Sequence, residues 1–443
     1  MTNRAAALLA FCLIGAGCGG KTNDGAGEIV YNSSANAVEI QALQSELPEF
    51  ARESGVSVKL NPFSGQEKLY AMIAAGQAPD IFYTNAAVRD RLAAEGHLLD
   101  LRDVSSGDPF LDRLWPQVVE DGRSVDGGLY SIGNWSFTAG VYYNKDLFDV
   151  ARVSYPDTTW TWNDMVGAAE ALTKDADRDG KPEQYGLFIP SHFIEVFEQM
   201  NRTPIRKNAL YVSIPDESAE VYRKYLDLMD KGIMPDLLTV QAMGMQAVQM
   251  LAGGKVAMLV EAVPNQGLIE ALQIRWGVAP IPRFGQKPPS YFRSGSGGLS
   301  ISARTADPES AWKALKWIIA GASIYQPNPV LRDADFVGGW EERYPQLKDS
   351  GFRDVWNLSL EHNGGDLRSF VRYSSWTSAR ILSLLQPEFD QLWAGRITVD
   401  QLRSQIPSIN EQVERELRND VTRRHWKPEF RDAVEAQLAR LPQ

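Results

Sequence analysis

The apolar positions near the start of the chain follow two different periods. Residues 29–31 (IVY) form a short apolar run typical of a strand, and residues 56–60 alternate between apolar and polar side chains. Between these two runs, apolar residues recur at helical spacing at Ile40, Leu43, Leu47 and Phe50, until Gly55. The chain therefore opens with a predicted strand–helix–strand unit.

The next segment predicts a second helix and a third strand. Residues 64–67 (SGQE) have the form of a capping box, and Gly76 is placed to end the helix before a strand at 81–83. The buried face of this helix is predicted to hold Leu69, Met72 and Ile73. Alternating units of this kind require a parallel sheet covered by helices, with the ligand beyond the carboxyl ends of the strands. Residues 32–36 and 84–85 are therefore candidate ligand loops.

Four more elements follow along the chain. Residues 161–164 (TWND) predict the start of a helix, and residues 307–308 (DP) predict another through a cap followed by proline. Short apolar runs at 185–189 and 256–260 indicate buried strands. The tail, 398–441, is charged and helical in period, which predicts surface helices rather than a separate domain.

The first 17 residues have the layout of a secretory signal. One charge, Arg4, precedes an apolar run at 5–14 and a small-residue stretch that ends at Cys18. This run is about half of the ~20 residues needed to span a bilayer, so we expect it to be cleaved. Residues 17–20 (GCGG) resemble a bacterial lipobox, which implies that Cys18 is acylated and tethers the chain to a membrane. The alternative is an ordinary signal peptide that is cleaved nearby without acylation. We expect residues 18–27 to form a flexible spacer before the folded domain.

Composition narrows the class of protein. The only other cysteine, Cys12, lies in the leader, so the mature body has no internal disulfide and depends on its core. More than 400 residues remain after the leader, enough for two domains. The formal net charge is −11, without a concentrated basic segment, which argues against nucleic acid as a ligand.

Several phrases, in order, resemble one family. Residues 126–132 (DGGLYSI) resemble "DGKLYGVP", and residues 142–148 (YYNKDLF) match the family phrase in full. Weaker matches occur at 79–81 (PDI), 96–101 (GHLLDL), 159–164 (TWTWND), 254–258 (GKVAM), 277–282 (GVAPIP), 297–302 (GGLSIS) and 308–312 (PESAW). The chain thus resembles the sugar-binding extracellular solute-binding proteins of ABC importers, the family that contains maltose-binding protein, from about residue 28 to about 415.

This resemblance implies an α/β fold of two discontinuous lobes with a ligand cleft and a hinge, the class II periplasmic binding protein fold. It implies an exported monomer that binds a sugar with high affinity and passes it to the permease subunits of an ABC importer. Closure would be a hinge motion where the chain crosses between lobes. The implied boundaries are 28–136 with 283–325 for lobe 1, and 137–282 with 326–443 for lobe 2.

A sugar site needs aromatic rings for the apolar face of the pyranose and polar groups for its hydroxyls. No catalytic residue is expected. The predicted aromatic contacts, each equally open to a packing role, are Tyr83, Trp135, Trp340, Tyr373 and Trp376. The predicted polar contacts are Asn32, Ser33, Asn85, Glu261, Asn265 and Ser296.

Residues 174–183 (KDADRDGKPE) match the opening of an EF-hand loop. Three carboxylates at alternate positions, followed by glycine, can wrap oxygen atoms around a calcium ion. No cofactor is required for binding, but a structural calcium would use Asp175, Asp177, Asp179, the Lys181 carbonyl and Glu183. The glutamate expected at the twelfth position is replaced by Gly186, and a solvated turn is the alternative.

Two rival functions remain open. A secreted carbohydrate-active enzyme would need two carboxylates facing one sugar, but GxSxG, HExxH and phosphate-loop motifs are absent from the sequence. The four histidines of the sequence are too far apart along the chain to suggest a metal-binding cluster by their spacing. The same fold could instead bind a polyamine, a peptide or a metal ion.

Overall fold

The computed structural model describes residues 28–33, 37–63, 65–201, 210–284, 297–320, 328–362, 375–423 and 425–439. Its strands are β1 (Ile29–Ser33), β2 (Val58–Pro62), β3 (Ile81–Asn85), β4 (Thr138–Asn144), β5 (Tyr185–Phe188), β6 (Val256–Val263), β7 (Trp276–Pro280) and β8 (Gly297–Ile301). Its helices up to residue 200 are α1 (Ala37–Ser54), α2 (Gln66–Ala74), α3 (Ala86–Ala94), α4 (Leu101–Val104), α5 (Pro116–Asp121), α6 (Lys145–Ala151), α7 (Trp162–Leu172) and α8 (Ile194–Met200).

The later helices are α9 (Asp216–Asp230), α10 (Leu237–Met243), α11 (Ala247–Ala252), α12 (Gln266–Ala271), α13 (Pro308–Ala320), α14 (Phe336–Arg343), α15 (Phe352–His362), α16 (Ser375–Trp393), α17 (Val399–Arg423) and α18 (Pro428–Leu438). Among these described residues, no helix has both the length and the apolar character needed to cross a membrane.

The strands form two separate sheets. The first has the order β2-β1-β3-β8, with β1 parallel to β2 and β3, and β8 antiparallel to β3. The predicted opening βαβαβ is confirmed. The second sheet has the order β5-β6-β4-β7, in which β4 is antiparallel to both neighbours and every residue of β4 is buried. We call the sheets with their covering helices the first lobe and the second lobe.

Local sequence explains where several helices begin. At α7 the Thr161 N–H donates to Asp164 Oδ2 at 2.8 Å, and the Asp164 N–H donates to Thr161 Oγ1 at 3.3 Å, so the predicted capping box is confirmed. The Asp307 carboxylate accepts from the Ser310 N–H at 3.0 Å and caps α13 as predicted. The capping box predicted at 64–67 is wrong, because α2 starts from Gly65, which has φ of 100° and no side chain to accept a hydrogen bond.

The C-terminal helices join the two lobes. Leu402 and Val413 of α17 lie in the second-lobe core, whereas Leu417 further along the same helix packs with α2 and α3 of the first lobe. Helix α18 packs in that first-lobe cluster through Phe430, and Val330 lies in the main first-lobe core. These parts of 326–443 therefore pack in the first lobe, although the sequence analysis assigned them to the second. The apolar side chains of these segments pack against first-lobe elements and so complete the core of the first lobe. We call α17 and α18 the C-terminal strap.

Candidate functional site

The ligand-side edges of the two sheets adjoin each other. β1, β2 and β3 end at one edge of the first sheet, where antiparallel β8 begins; β5, β6 and β7 end at the edge of the second sheet where β4 begins. Ile132 pairs with Leu299 of β8, and β4 starts at Thr138. Six extended residues span at most about 20 Å, so the two edges lie within that distance. The ligand cleft predicted beyond the carboxyl ends of the strands would lie between these two edges.

The first-lobe wall of this cleft contains a pair of amides. Asn32, only 3% exposed, and Asn61 lie side by side on β1 and β2, and Asn61 Nδ2 donates to Asn32 Oδ1 at 3.3 Å. Ser33 follows at the end of β1 and is also buried. The sequence analysis missed Asn61, although its signal was available: a polar residue at the end of a predicted parallel strand.

Tyr83 is the most exposed aromatic residue at this edge. Its side chain is 43% exposed, and β3 places it opposite Leu299 of β8. A Cβ at Gly297 would collide with the Tyr83 hydroxyl and with the Thr84 carbonyl oxygen, so glycine is required for the ring to lie over β8. Asn85, predicted as a ligand contact, instead caps α3: its Oδ1 accepts from the Val88 N–H at 2.9 Å.

The second-lobe wall carries a half-buried carboxylate. Glu261 lies near the end of β6, and its Oε1 accepts from the Ala262 N–H at 2.8 Å. Burial raises the pKa of this carboxyl. The Tyr142 hydroxyl donates to the Ala262 carbonyl at 3.1 Å, and burial also raises the pKa of that phenol, with a smaller contribution from Glu261. Asn265 caps α12 through a 2.9 Å bond from the Leu268 N–H.

The two predicted tryptophans of this wall have different environments. Trp135 is partly buried, just before β4, and its ring centroid is 6.3 Å from that of Trp340. Trp340 is 0% exposed and packs against the rings of Phe336 and Tyr344. The prediction that Trp340 stacks on a ligand is therefore corrected: its ring is fully buried among other aromatic side chains and has a packing role.

Three predicted contacts cannot be placed. Ser296 and Tyr373 lie outside the described residues, and Trp376 lies in α16 with its side chain outside them. In contrast, His192 follows β5 at the ligand-side edge and was not predicted as a contact. Its neighbour Phe193 is buried in the second-lobe core. The predicted anchor residue Cys18 also falls outside the described residues.

Substitution of Glu261 gives a pH-dependent prediction. A carboxyl whose pKa is higher in the folded than in the unfolded protein contributes stability at low pH and loses it as pH rises through the folded pKa. We expect Glu261→Gln to gain free energy of unfolding relative to the native protein as pH rises from below 4.5, the ordinary value, to neutrality. Urea unfolding at a series of pH values measures this difference. The exposed Glu411→Gln serves as the control, and parallel pH profiles for all three proteins would contradict the assignment.

The acidic loop between α7 and β5 brings together three of its five predicted calcium ligands. Carboxylate oxygens of Asp175, Asp177 and Glu183 lie within 4.8 Å of one another. Asp175 Oδ1 is buried and lacks a hydrogen-bond partner in the described structure, so the donor set fits a hard cation. The Asp179 carboxylate is not part of this cluster and accepts from the Lys181 N–H at 2.8 Å. The clustered carboxylates each also accept one backbone N–H, from residues 176, 179 and 180.

The twelfth loop position explains a departure from the EF-hand pattern. Gly186 lies in β5, where α7 crosses it so closely that a Cβ would collide with the backbone of Ala169. A glutamate therefore cannot occupy this position without displacing the helix. Glu183, three positions earlier, supplies the third clustered carboxylate instead.

Comparison with known proteins gives consistent matches. The family model for "Bacterial extracellular solute-binding protein" matches residues 34–320. Maltodextrin-binding protein MdxE of Bacillus subtilis (strain 168) is 26% identical over 327 residues, covering 68% of this chain and 71% of that protein. The sn-glycerol-3-phosphate-binding periplasmic protein UgpB of Rhizobium meliloti (strain 1021) is 24% identical over 279 residues, covering 60% of this chain and 64% of that protein.

A solved structure extends the likeness to the fold. The ABC substrate-binding protein Lmo0181 from Listeria monocytogenes, in complex with cycloalternan, superposes with a TM-score of 0.71 at 22% sequence identity. The superposition covers 88% of this chain and 98% of that one. The predicted fold class, two α/β lobes, is thereby confirmed.

Proposed function

Because this chain belongs to the family of bacterial extracellular solute-binding proteins, we propose that it binds a sugar between its lobes and delivers it to an ABC importer. The family is one of exported binding proteins. The observation that carries the sugar assignment is the exposed Tyr83 ring at the ligand-side edge of the first sheet, since an aromatic face matches the apolar face of a pyranose. The Asn32–Asn61 amide pair lies near the ends of the neighbouring strands at the same edge and supplies polar groups of the kind that sugar hydroxyls need. The name of the relative MdxE supports the same ligand class.

Calorimetric titration of the purified protein tests this proposal. Maltose, maltotriose and longer maltodextrins are the sugar probes; glycerol 3-phosphate and spermidine represent other solutes. We expect a maltodextrin to bind and to be recovered chemically unchanged. Hydrolysis of the sugar would favour the carbohydrate-active enzyme, and binding of glycerol 3-phosphate or spermidine alone would retain the family and overturn the sugar.

A substitution at Tyr83 locates the site. We expect Tyr83→Ala to weaken sugar binding by about tenfold, because an aromatic contact contributes ~0.5–1.5 kcal/mol beyond the area it buries. Tyr155→Ala is the matched control, since Tyr155 is also exposed but follows α6, at the opposite edge of the second sheet. Equal affinities for the two variants would show that the sugar does not contact Tyr83.

We further propose that the acidic loop binds a structural calcium ion through Asp175, Asp177 and Glu183. The ion would neutralise three clustered carboxylates and fix the turn between α7 and β5. Adding calcium to chelator-treated protein should raise the Tm, because an ion at 100 times its Kd adds about 2.7 kcal/mol. Asp177→Asn should abolish most of this rise, whereas Asp432→Asn, an exposed control on α18, should retain it. An unchanged Tm in native protein would refute the site.

For membrane attachment we propose acylation of Cys18, and for delivery we propose docking of the monomer on the permease of an ABC importer. Incorporation of labelled palmitate into the native protein, and its loss in Cys18→Ala, would test the anchor. A fully soluble, unlabelled native protein would instead support an ordinary signal peptide. Co-purification with the permease in the presence of sugar would test delivery.

A further inference from the structure

A separate cavity of 360 Å³ lies in the second lobe, between the start of α7, helix α9 and the segment after β7. This volume falls within the ~300–1,000 Å³ range of small-molecule sites. Trp162, in the cavity wall, belongs to the core cluster on the α7 side of the second sheet, whereas Trp135 and Trp340 belong to the cluster on its other face. The cavity therefore lies on the opposite face of the second sheet from Trp135, the tryptophan that remains a candidate for the sugar cleft.

Among the described residues, Arg283 has a buried side-chain donor at this cavity that lacks a hydrogen-bond partner. Its backbone is fixed on both sides: its N–H donates to the Trp160 carbonyl at 3.0 Å, and its carbonyl accepts from the Trp162 N–H at 2.9 Å. Its guanidinium Nε is buried and has no hydrogen-bond partner among the described residues. Leaving a charged donor unpaired is unfavourable, so a ligand acceptor at this position would stabilise it.

The cavity also contains a second cation and an apolar wall. Lys224 Nζ lies 5.5 Å from the centroid of the Phe284 ring, and the Trp162 and Phe284 rings meet edge to face with centroids 5.2 Å apart. The one acid of the lining, Glu220, is engaged: its Oε2 accepts from Asn201 Nδ2 at 2.9 Å, and its other carboxylate oxygen lies 4.0 Å from Lys224 Nζ.

Asp157 is within electrostatic range of Arg283 but is also engaged, since its Oδ1 accepts from both the N–H and the hydroxyl of Thr159 at 2.7 Å. The cationic groups that line the cavity are the Arg283 guanidinium and the Lys224 ammonium, whose Nζ lies 4.0 Å from Glu220. The neutral side chain of Asn163 also lines it. Two cations beside an aromatic wall suit a compact molecule that carries a carboxylate or a phosphate.

We propose that this cavity binds a small oxyanion, a carboxylate or phosphate compound, as a second ligand of the protein. A ligand at this position would contact a connection between the two lobes. Arg283 and Phe284 leave the end of β7 on the way to β8 in the first lobe, so an oxyanion held there contacts a connection between the lobes. If the open and the closed arrangement of the lobes bind the oxyanion with different affinities, the oxyanion would also change the affinity of the protein for the sugar.

Titration calorimetry of the whole protein with inorganic phosphate and with succinate, in calcium-free buffer, tests the proposal. We expect at least one probe to bind, with affinity that falls as salt is added. Lys224→Gln and Arg283→Met should each weaken binding by about tenfold or more, since each removes a charge-assisted hydrogen bond. Arg275→Met is the matched control, because Arg275 precedes β7 at its far end and pairs with Asp146 and Asp149.

Three results would overturn the second site. They are no detectable binding of either probe to the native protein, equal affinities in the native protein and in Lys224→Gln, and a roughly tenfold loss of probe affinity in Tyr83→Ala, which would place the probe in the sugar cleft. Lys224→Gln keeps the test decisive if Arg283→Met fails to fold. Sugar binding in Lys224→Gln, measured without oxyanion, should stay within about twofold of native, and this separates the second site from the sugar proposal.

Discussion

Phe430→Ala is expected to lower the free energy of unfolding by about 3–5 kcal/mol, the usual cost of removing a buried aromatic ring. Phe430 is 0% exposed, and its ring centroid lies 5.8 Å from that of Tyr130 in the first lobe. The adjacent Lys427 N–H donates to the Ala94 carbonyl at 2.8 Å and fixes the start of α18 against α3. Loss of the ring would thus leave a cavity in a cluster that α18 shares with the first lobe.

Urea unfolding monitored by circular dichroism measures this loss. Glu435→Ala, at an exposed position of the same helix, is the matched control and should change stability by less than about 0.5 kcal/mol. If Phe430→Ala were as mild as its control, α18 would not contribute to the first-lobe core. A biphasic transition in Phe430→Ala would show in addition that the strap makes the two lobes unfold together.

Trp340→Ala is expected to destabilise the protein by a similar ~3–5 kcal/mol, because Trp340 has no exposed surface and contacts three other rings. Trp340→Phe should cost less, since it keeps an aromatic ring against Phe336. Urea unfolding measures stability, and sugar titration of the folded variants measures affinity.

These two measurements distinguish a core residue from a ligand contact. We expect Trp340→Phe to bind sugar with an affinity close to native, because the Trp340 side chain has no exposed surface with which to contact a ligand. A stable Trp340→Ala that had lost its sugar affinity would contradict this assignment. It would restore the stacking role that the sequence analysis predicted for this ring.

The sequence was most informative where structure is determined locally. The capping box of α7 and the aspartate cap of α13 depend on residues a few positions apart, and both were predicted correctly. The start of α2 was predicted wrongly because its N-cap is Gly65, which has positive φ and no capping side chain. The residue types at 64–67 do not show that the helix begins from the glycine and not from the serine before it. Beyond such local signals, the order of the family phrases predicted the two-lobed fold.

The candidate site was predictable in position but less so in role. The carboxyl ends of the parallel strands predicted candidate ligand loops at 32–36 and 84–85, at the edge of the first sheet where Asn32 lies. Tyr83 and Glu261 were expected from the family resemblance instead, and Glu261 lies on the second sheet. The sequence could not show that Asn85 and Asn265 use their side-chain oxygens to cap helices. Nor could it show that Trp340 is enclosed, because its burial depends on strands and helices far away in the chain.

The hydrogen bond between Thr84 and Ser300, at 2.7 Å, joins residues 216 positions apart. Because β8 is the edge partner of β3, and the strap supplies part of the same lobe's core, the first sheet cannot be completed until most of the polypeptide has been synthesised. Contacts of such long sequence separation form slowly. During synthesis the nascent chain therefore remains unfolded for longer than a chain whose neighbouring strands follow one another in sequence. An unfolded chain is the form that can pass through a narrow secretion channel.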